Sequence, residues 1–377
     1  MRPESAAFLL DSAPKHWDTR NEFHLRLCRG LIALGVKPVT AFSHDLPDAM
    51  RERYRAAGAE VVALNYADGW SPYLADLGRL VNKYSIGQVH IRFFDYFSAV
   101  PWMARLRGVR HILFTEANSG EWKSTSWKAH LVRLRARVAC RPLTRVIAIS
   151  EFIKTRLICL GVEEDRITVV YNGVDTDRFR PDPAARLRLC ESVPVEPGEF
   201  LLTTAATLLP WKHNDVTLKA CSLLKLRGVP FRLFIAGEGP LREELQTLSQ
   251  ELGIADRVYW LGQYPWPERL FQACDVFVLS STGEAFGNVL AEAMACGAPV
   301  VGSDSGAIGE IVENGVTGSL TEPLSPTRLA DALQDLAADP ARRREMGRRG
   351  LERVRERFAM DIAVRQTIGV YEDIWQS

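Results

Sequence analysis

Short runs rich in Val, Ile and Leu alternate with longer amphipathic stretches along nearly the whole chain, and this alternation narrows the possible folds more than any other feature. The runs fall at residues 8–10, 38–42, 60–64, 88–93, 111–115, 145–150 and 167–172, then at 200–207, 232–237, 257–262, 276–281 and 299–304. A strand that reads as continuously apolar is buried on both faces, and parallel neighbours reached through crossover helices supply that burial. The pattern predicts an α/β protein of two doubly wound, Rossmann-like domains. Between the two series, Phe179-Arg180-Pro181-Asp182-Pro183 and Val193-Pro194-Val195-Glu196-Pro197-Gly198 concentrate proline, which lacks a backbone donor and resists both helix and sheet. The expected division is an N-terminal domain at 1–180, a linker at about 181–197 and a C-terminal domain at 198–358. A chain of 377 residues is long enough for both. Ligands of open parallel sheets bind beyond the carboxyl ends of the strands, so two such domains facing a cleft should place function there.

Composition excludes several functions. Lys and Arg number 47 against 46 Asp and Glu, a net charge of +1 that rules out a globally polycationic nucleic-acid binder. No apolar run approaches the roughly 20 residues of a membrane-spanning helix. The first apolar stretch, Ala6-Ala7-Phe8-Leu9-Leu10, is too short for a signal-peptide core and reads as a strand. The seven cysteines are scattered with no Cys-x-x-Cys pair, the usage of reduced thiols, so a cytoplasmic location is expected. The seven histidines form no zinc-binding spacing. A nicotinamide dehydrogenase would need Gly-x-Gly-x-x-Gly after a first strand. Neither Leu10-Asp11-Ser12-Ala13 nor Ala205-Ala206-Thr207 supplies it, and Gly237-Glu238-Gly239 lacks the third glycine.

The most informative stretch runs from Ser280 to Pro299. It leaves the strand Val276-Phe277-Val278-Leu279, turns through Glu284 and Gly287, and enters a helix expected to end near Cys296, before Gly297 and Pro299. Glu284 then lies on a loop at a strand's carboxyl end, and Glu292 follows eight residues later inside the helix. The amides of Phe286, Gly287, Asn288 and Val289 form the helix N-terminus, a natural seat for phosphate or sugar hydroxyls.

This stretch resembles the Glu-x7-Glu signature of the retaining nucleotide-sugar glycosyltransferases of family 4, which have the GT-B architecture. Other segments extend the resemblance, in family order, over about residues 145–322. They are Val146-Ile147-Ala148-Ile149-Ser150-Glu151, Tyr171-Asn172-Gly173-Val174-Asp175 with Phe179, Ala236-Gly237-Glu238-Gly239-Pro240-Leu241, Gly302-Ser303-Asp304-Ser305-Gly306 through Glu310, and Gly315-Val316-Thr317-Gly318. The resemblance implies that the C-terminal domain binds a nucleotide-sugar donor and the N-terminal domain a glycan or lipid-linked acceptor, with UDP-sugars favoured over GDP-sugars. It implies that Glu284 holds donor hydroxyls and Glu292 the ribose, each carboxylate accepting two hydrogen bonds. Gly237, Glu238 and the loop Gly262-Gln263-Tyr264 would line the nucleotide, with plain loop packing the alternative for Gln263 and Tyr264. Configuration would be retained by front-side attack, the departing phosphate taking the acceptor proton. The last helix, 361–377, would pack back onto the N-terminal domain.

The chain departs from the family at three places. Thr207 stands where an arginine usually precedes the lysine matched by Lys212, so one diphosphate-neutralising cation is missing. Ser12-Ala13-Pro14-Lys15-His16-Trp17-Asp18 replaces a glycine-rich turn, and Lys15 or His16 could restore the charge. Glu116 replaces a histidine after Ile112-Leu113-Phe114-Thr115, leaving Glu116, Lys15 and His16 as acceptor-side candidates. A catalytically weakened protein that only binds nucleotide sugar is the alternative reading. Asp175-Thr176-Asp177 matches the Asp-x-Asp metal pattern of another glycosyltransferase fold, yet Asp175 already belongs to the Asn-Gly-Val-Asp turn. No metal and no cofactor are expected.

Charge is uneven along the chain. Residues 101–160 hold twelve Lys and Arg and three acids, a local +9 against −8 for the remainder. Within 122–138, Trp127, Leu131, Leu134 and Val138 form one apolar stripe flanked by Lys128, Arg133, Arg135 and Arg137. Two readings stand: a helix packed on the sheet with solvated arginines, or an interfacial helix that brings residues 122–145 against anionic membrane on the inner face. The arginine-rich run 342–357 is interrupted by Glu345, Glu352 and Glu356 and reads as a solvated helix face.

Overall fold

The computed structural model describes all residues except 11–16, 65–69, 93–97, 120–127, 194 and 197. Lys15, His16 and the first part of the basic stretch, including Trp127, therefore lie outside the described residues. Packing divides the chain into two units: the described residues of Met1–Asn118, Trp122–Gly173 and Met360–Ser377, and those of Ser119–Glu121 and Val174–Ala359.

In the first unit, β1 (Ser5–Leu10), β2 (Lys37–Phe42), β3 (Glu60–Ala63), β4 (Ile86–Arg92), β5 (His111–Glu116), β6 (Arg145–Ala148) and β7 (Ile167–Val169) form one sheet in the order β3-β2-β1-β4-β5-β6-β7. Every pairing is parallel. Helices α1 (Thr19–Ala33), α2 (Asp48–Ala56), α3 (Trp70–Lys83), α4 (Val100–Leu106), α5 (Lys128–Cys140) and α6 (Glu151–Leu160) make the crossovers. Local chemistry sets their ends. Asp18 caps α1 by accepting from the Asn21 amide at 3.0 Å, and Ser150 caps α6 by accepting from Ile153 at 3.1 Å. Gly161 closes α6 in the left-handed region, at φ 92°.

The second unit contains α7 (Ala185–Ser192), β8 (Phe200–Ala205), α8 (Asn214–Leu226), β9 (Phe231–Ala236), α9 (Arg242–Glu251), β10 (Val258–Gly262), α10 (Pro267–Ala273), β11 (Val276–Leu279), α11 (Asn288–Ala295), β12 (Val300–Ser303), α12 (Ile308–Ile311), β13 (Gly318–Thr321), α13 (Pro326–Ala338) and α14 (Pro340–Arg353). Its sheet is also wholly parallel, in the order β10-β9-β8-β11-β12-β13. Its core is the apolar strand set predicted from sequence, with Leu202, Leu233, Ile235, Val276, Val278 and Val301 all buried. The last helix, α15 (Met360–Gln376), belongs to the first unit. There the Tyr371 hydroxyl meets His90 Nδ1 at 2.6 Å and Trp375 Nε1 donates to Gln88 at 2.6 Å.

Two features differ from the sequence-based expectation. The packing changes unit between Gly173 and Val174, and the described residues of the proline-rich stretch at 181–197 are built into the second unit rather than strung out as a linker. Phe179 stacks on Phe271, Arg178 pairs with Glu268 at 2.8 Å, and Arg186 pairs with Asp275 at 2.8 Å. Secondly, the face of α5 that is buried carries Ala136, Ala139 and Cys140, while Leu134 and Val138 of the expected apolar stripe are exposed. Small residues allow close helix packing, and Leu134 and Val138 are left outside. Among the described residues, no helix is long and apolar enough to cross a membrane.

Candidate active site

Strand order reverses between β8 and β11 in the second unit, which makes their carboxyl ends the topological switch point where ligands of such sheets bind. Two loops leave from there. After β8 the chain makes a single 3-10 turn, Pro210–Lys212, and after β11 it passes through Glu284 into α11. Lys212 Nζ donates to Glu284 Oε1 at 2.5 Å, with only 12% and 6% of the two side chains exposed. The Ser281 hydroxyl donates to the same carboxylate oxygen at 2.8 Å, and the ammonium lies 3.9 Å from the centre of the Trp211 ring. Charge, hydrogen bond and aromatic face thus converge on one lysine.

The two loops are stitched together. The Thr282 amide donates to Trp211 O at 2.9 Å, and Ser280 Oγ donates to His213 O at 2.7 Å. His213 Nε2 meets Thr282 Oγ1 at 3.0 Å. His213 adopts a left-handed backbone, at φ 48°, a conformation costly for a non-glycine residue and here held by those bonds. Lys212 is consequently aimed by backbone that has little freedom to move.

Two glycines bring further loops in. Gly237, at φ 142°, donates its amide to Gly262 O at 2.7 Å, and a β-carbon there would lie 1.8 Å from Ala206 O. The loops after β8, β9 and β10 therefore meet at one point that only glycine permits. Gly306, at φ 64°, lies under Glu284, and a β-carbon would come within 2.5 Å of Glu284 O. Ala307 donates to that carbonyl at 2.9 Å, and Ser305 Oγ accepts from the Gly283 amide at 3.2 Å. The loop after β12 is the floor on which Glu284 is set.

The remaining candidates are distributed around these loops. Gly287 takes the N-cap of α11 at φ 98°, followed by exposed Asn288 and half-buried Val289. Bonding within the helix starts where Leu290 and Ala291 donate to Gly287 O. Phe286 is a core residue, its ring edge-on to Phe358 at 5.6 Å, so only its backbone faces the helix start. Glu292 is buried in the second turn of α11. Thr207 and Gln263 are exposed at the ends of β8 and β10, and Tyr264 is half-buried with its ring edge-on to Trp266. Glu238 is exposed and paired with Arg242 at the start of α9. In the first unit Glu116 is buried at the end of β5, where Oε1 accepts from the Asn118 amide at 2.9 Å.

Sequence reasoning did not single out Ser281, Trp211, Ser305 or Gly306 as site residues, nor Arg242 as a cation near the β10 turn. Gly306 stands in a quoted motif, but its close approach to Glu284 is a tertiary fact. Asp175 Oδ1 accepts from the Asp177 amide at 3.2 Å, the turn expected of Asn-Gly-Val-Asp. Among the described residues, no group of three His, Cys, Asp or Glu side chains is placed to hold a metal.

Two parallel doubly wound units of this kind are the architecture of GT-B glycosyltransferases. Residues 23–178 match the family described as Glycosyltransferase Family 4, and residues 190–353 the family described as Glycosyl transferases group 1. A GDP-mannose-dependent alpha-(1-6)-phosphatidylinositol monomannoside mannosyltransferase of Mycolicibacterium smegmatis is 30% identical over 71% of this chain and 72% of its own length. A D-inositol 3-phosphate glycosyltransferase of Nocardia farcinica is 38% identical over 51% of this chain. The match spans 44% of that relative's length. Among solved structures, Anabaena HepE in complex with UDP and glucose superposes with a TM-score of 0.82 at 21% identity, covering 98% of this chain and all of that one. Sucrose-phosphate synthase from Thermosynechococcus elongatus superposes with a TM-score of 0.83 at 21% identity, over 99% of each chain. The chain belongs to the GT-B glycosyltransferases of family 4 type.

Proposed function

We propose that this protein is a retaining hexosyltransferase that uses a nucleoside diphosphate sugar, a UDP-sugar in preference to a GDP-sugar. The acceptor is a glycan or lipid-linked sugar recognised by the first unit, in the synthesis of cell-surface polysaccharide or glycolipid. The observation that carries the reading is the buried Lys212–Glu284 pair at the β8/β11 switch point.

The pair suits both halves of the reaction. An ammonium has three donors. With one on Glu284, Lys212 can still donate to an oxygen of the departing diphosphate, and the N-terminal amides of α11 add their dipole to the same task. Preorganised cations of this kind stabilise a leaving phosphate without a divalent ion, so transfer should persist in a chelator. Glu284, paired with Lys212 and braced by Ser281, offers its other oxygen to hydroxyls of the sugar. Breaking the C1–O bond to the diphosphate and forming the bond from C1 to the acceptor oxygen on the same face retains configuration. The acceptor proton passes to the departing phosphate oxygen.

The M. smegmatis relative is named for GDP-mannose, so GDP-sugars form the second arm of the test. Purified protein incubated with UDP- and GDP-hexoses and a panel of acceptors should release UDP, and the product should keep the donor's anomeric configuration by NMR. Release of GDP alone would replace the base assignment, and an inverted product would overturn retention. Nucleotide binding with no turnover on any acceptor would select the alternative of a weakened binding module, for which exposed Thr207 in place of the second cation is the motive.

A further inference from the structure

The two oxygens of the Glu284 carboxylate have different neighbours. Oε1 accepts from Lys212 Nζ at 2.5 Å and from the Ser281 hydroxyl at 2.8 Å. Oε2 accepts from the hydroxyl of Ser119 at 3.4 Å, and the same Ser119 Oγ accepts from the Ala285 amide at 3.0 Å. Ser119 belongs by packing to the second unit, although 165 residues separate it from Glu284 along the chain. Glu284 is buried, whereas Ser119 is exposed. One serine hydroxyl, on a residue open to solvent, therefore joins the carboxylate to the amide that follows it.

We propose that Ser119 is a placeholder for one hydroxyl of the donor sugar, which must displace it to bind. The inference rests on the reading of Glu284 as the residue that holds the sugar. A sugar hydroxyl, like that of serine, carries one donor and two acceptor lone pairs. It can make the same two bonds, donating to Glu284 Oε2 and accepting from the Ala285 amide, and two oxygens cannot share that one position. Before the donor binds, Ser119 keeps both groups bonded where an unpartnered carboxylate oxygen or amide would be costly. When the sugar arrives these bonds are exchanged rather than added, so their worth is lost from the sugar's share of the affinity. A bare nucleoside diphosphate has no sugar to offer and leaves Ser119 in place. Ser119 is thus a specificity-determining residue. It lowers the gain from the hydroxyl that meets Glu284 and narrows the difference between a hexose that carries it and the deoxy analogue.

The test is calorimetric titration of the wild-type chain, Ser119→Ala and Ser119→Thr with UDP, GDP, UDP-glucose, UDP-galactose and GDP-mannose. Ser119→Ala should bind at least one of the nucleotide sugars about five-fold more tightly than the wild type does, the net worth of one hydrogen bond. Its affinity for bare UDP and GDP should not change. Ser119→Thr keeps the hydroxyl and should bind like the wild type. Unchanged nucleotide-sugar affinity in Ser119→Ala would overturn the proposal, and weaker affinity would make Ser119 a partner of the sugar instead. In both cases binding of the bare diphosphates leaves the donor-site reading standing. Equal tightening for diphosphate and nucleotide sugar would also count against the proposal, since the hydroxyl would then obstruct the nucleotide. If none of the five ligands binds the wild type, the donor-site reading itself fails and the placeholder falls with it.

Discussion

Removing the Lys212 ammonium should cost stability as well as activity. The pair is 2.5 Å apart with both side chains nearly buried, so Lys212→Met leaves the Glu284 carboxylate in a dry site with Ser281 as one remaining donor. Breaking a buried pair from one side typically costs about 3–5 kcal/mol. The retained charged hydrogen bond from Ser281 offsets about 1 kcal/mol of that, so a loss of about 3 kcal/mol is expected. In a unit of this size that corresponds to a fall of about 6–12 °C in the midpoint of the second unit's unfolding. Glu284→Gln should cost less, since a flexible ammonium can turn toward water. The double variant should recover part of the loss, giving a coupling of at least about 1.5 kcal/mol by denaturant titration. Lys212→Met must also stop transfer, since the leaving phosphate loses its cation. A coupling within about 0.5 kcal/mol of zero would refute the reasoning, because the pair would then be solvated and its electrostatic role in the site would fall with it.

Gly237→Ala should disrupt the junction of the β8, β9 and β10 loops, since its β-carbon would sit 1.8 Å from Ala206 O on a backbone at φ 142°. A loss of at least about 2 kcal/mol is expected, together with loss of nucleotide binding, read by thermal unfolding with and without UDP. Acid should destabilise the first unit. Burial, and after it the charge of Arg92, holds His24 and His90 well below their usual 6.5. Both are therefore neutral in the folded protein when the unfolded chain has begun to bind protons, and stability is lost as pH falls below about 6.5. Each histidine contributes a slope of about 1.4 kcal/mol per pH unit, so His90→Gln should reduce the acid sensitivity by that amount in denaturant titrations between pH 5 and 7.

Most of the strand framework was legible because buried parallel strands advertise themselves as apolar runs. The exception, β13, is Gly318-Ser319-Leu320-Thr321, with a single large apolar residue. It is a strand through its pairing with β12, and Gly318 is needed where a β-carbon would meet Val300 O at 2.5 Å. The proline-rich stretch misled for a related reason. Proline restricts local backbone, but the partners that dock the segment, Phe271, Glu268 and Asp275, are some 90 residues away along the chain. On α5 the large residues suggested an inward stripe, whereas the buried residues described there are Ala136, Ala139 and Cys140, which periodicity counts do not weigh. At the site, spacing and family resemblance pointed to Glu284 and Lys212. That the two form a direct ion pair, braced by Ser281 and seated on Gly306, depends on three loops meeting, which a linear motif does not encode.

The most direct measurement is calorimetric titration of UDP and GDP into the wild-type chain and into Lys212→Met. One nucleoside diphosphate should bind with a stoichiometry of one per chain, UDP more tightly than GDP. Replacing the ammonium should weaken that binding at least about ten-fold, the loss of a charged hydrogen bond to phosphate. Failure of every nucleoside diphosphate to bind, or equal affinity in the two proteins, would contradict the assignment of a donor site to the Lys212–Glu284 switch point.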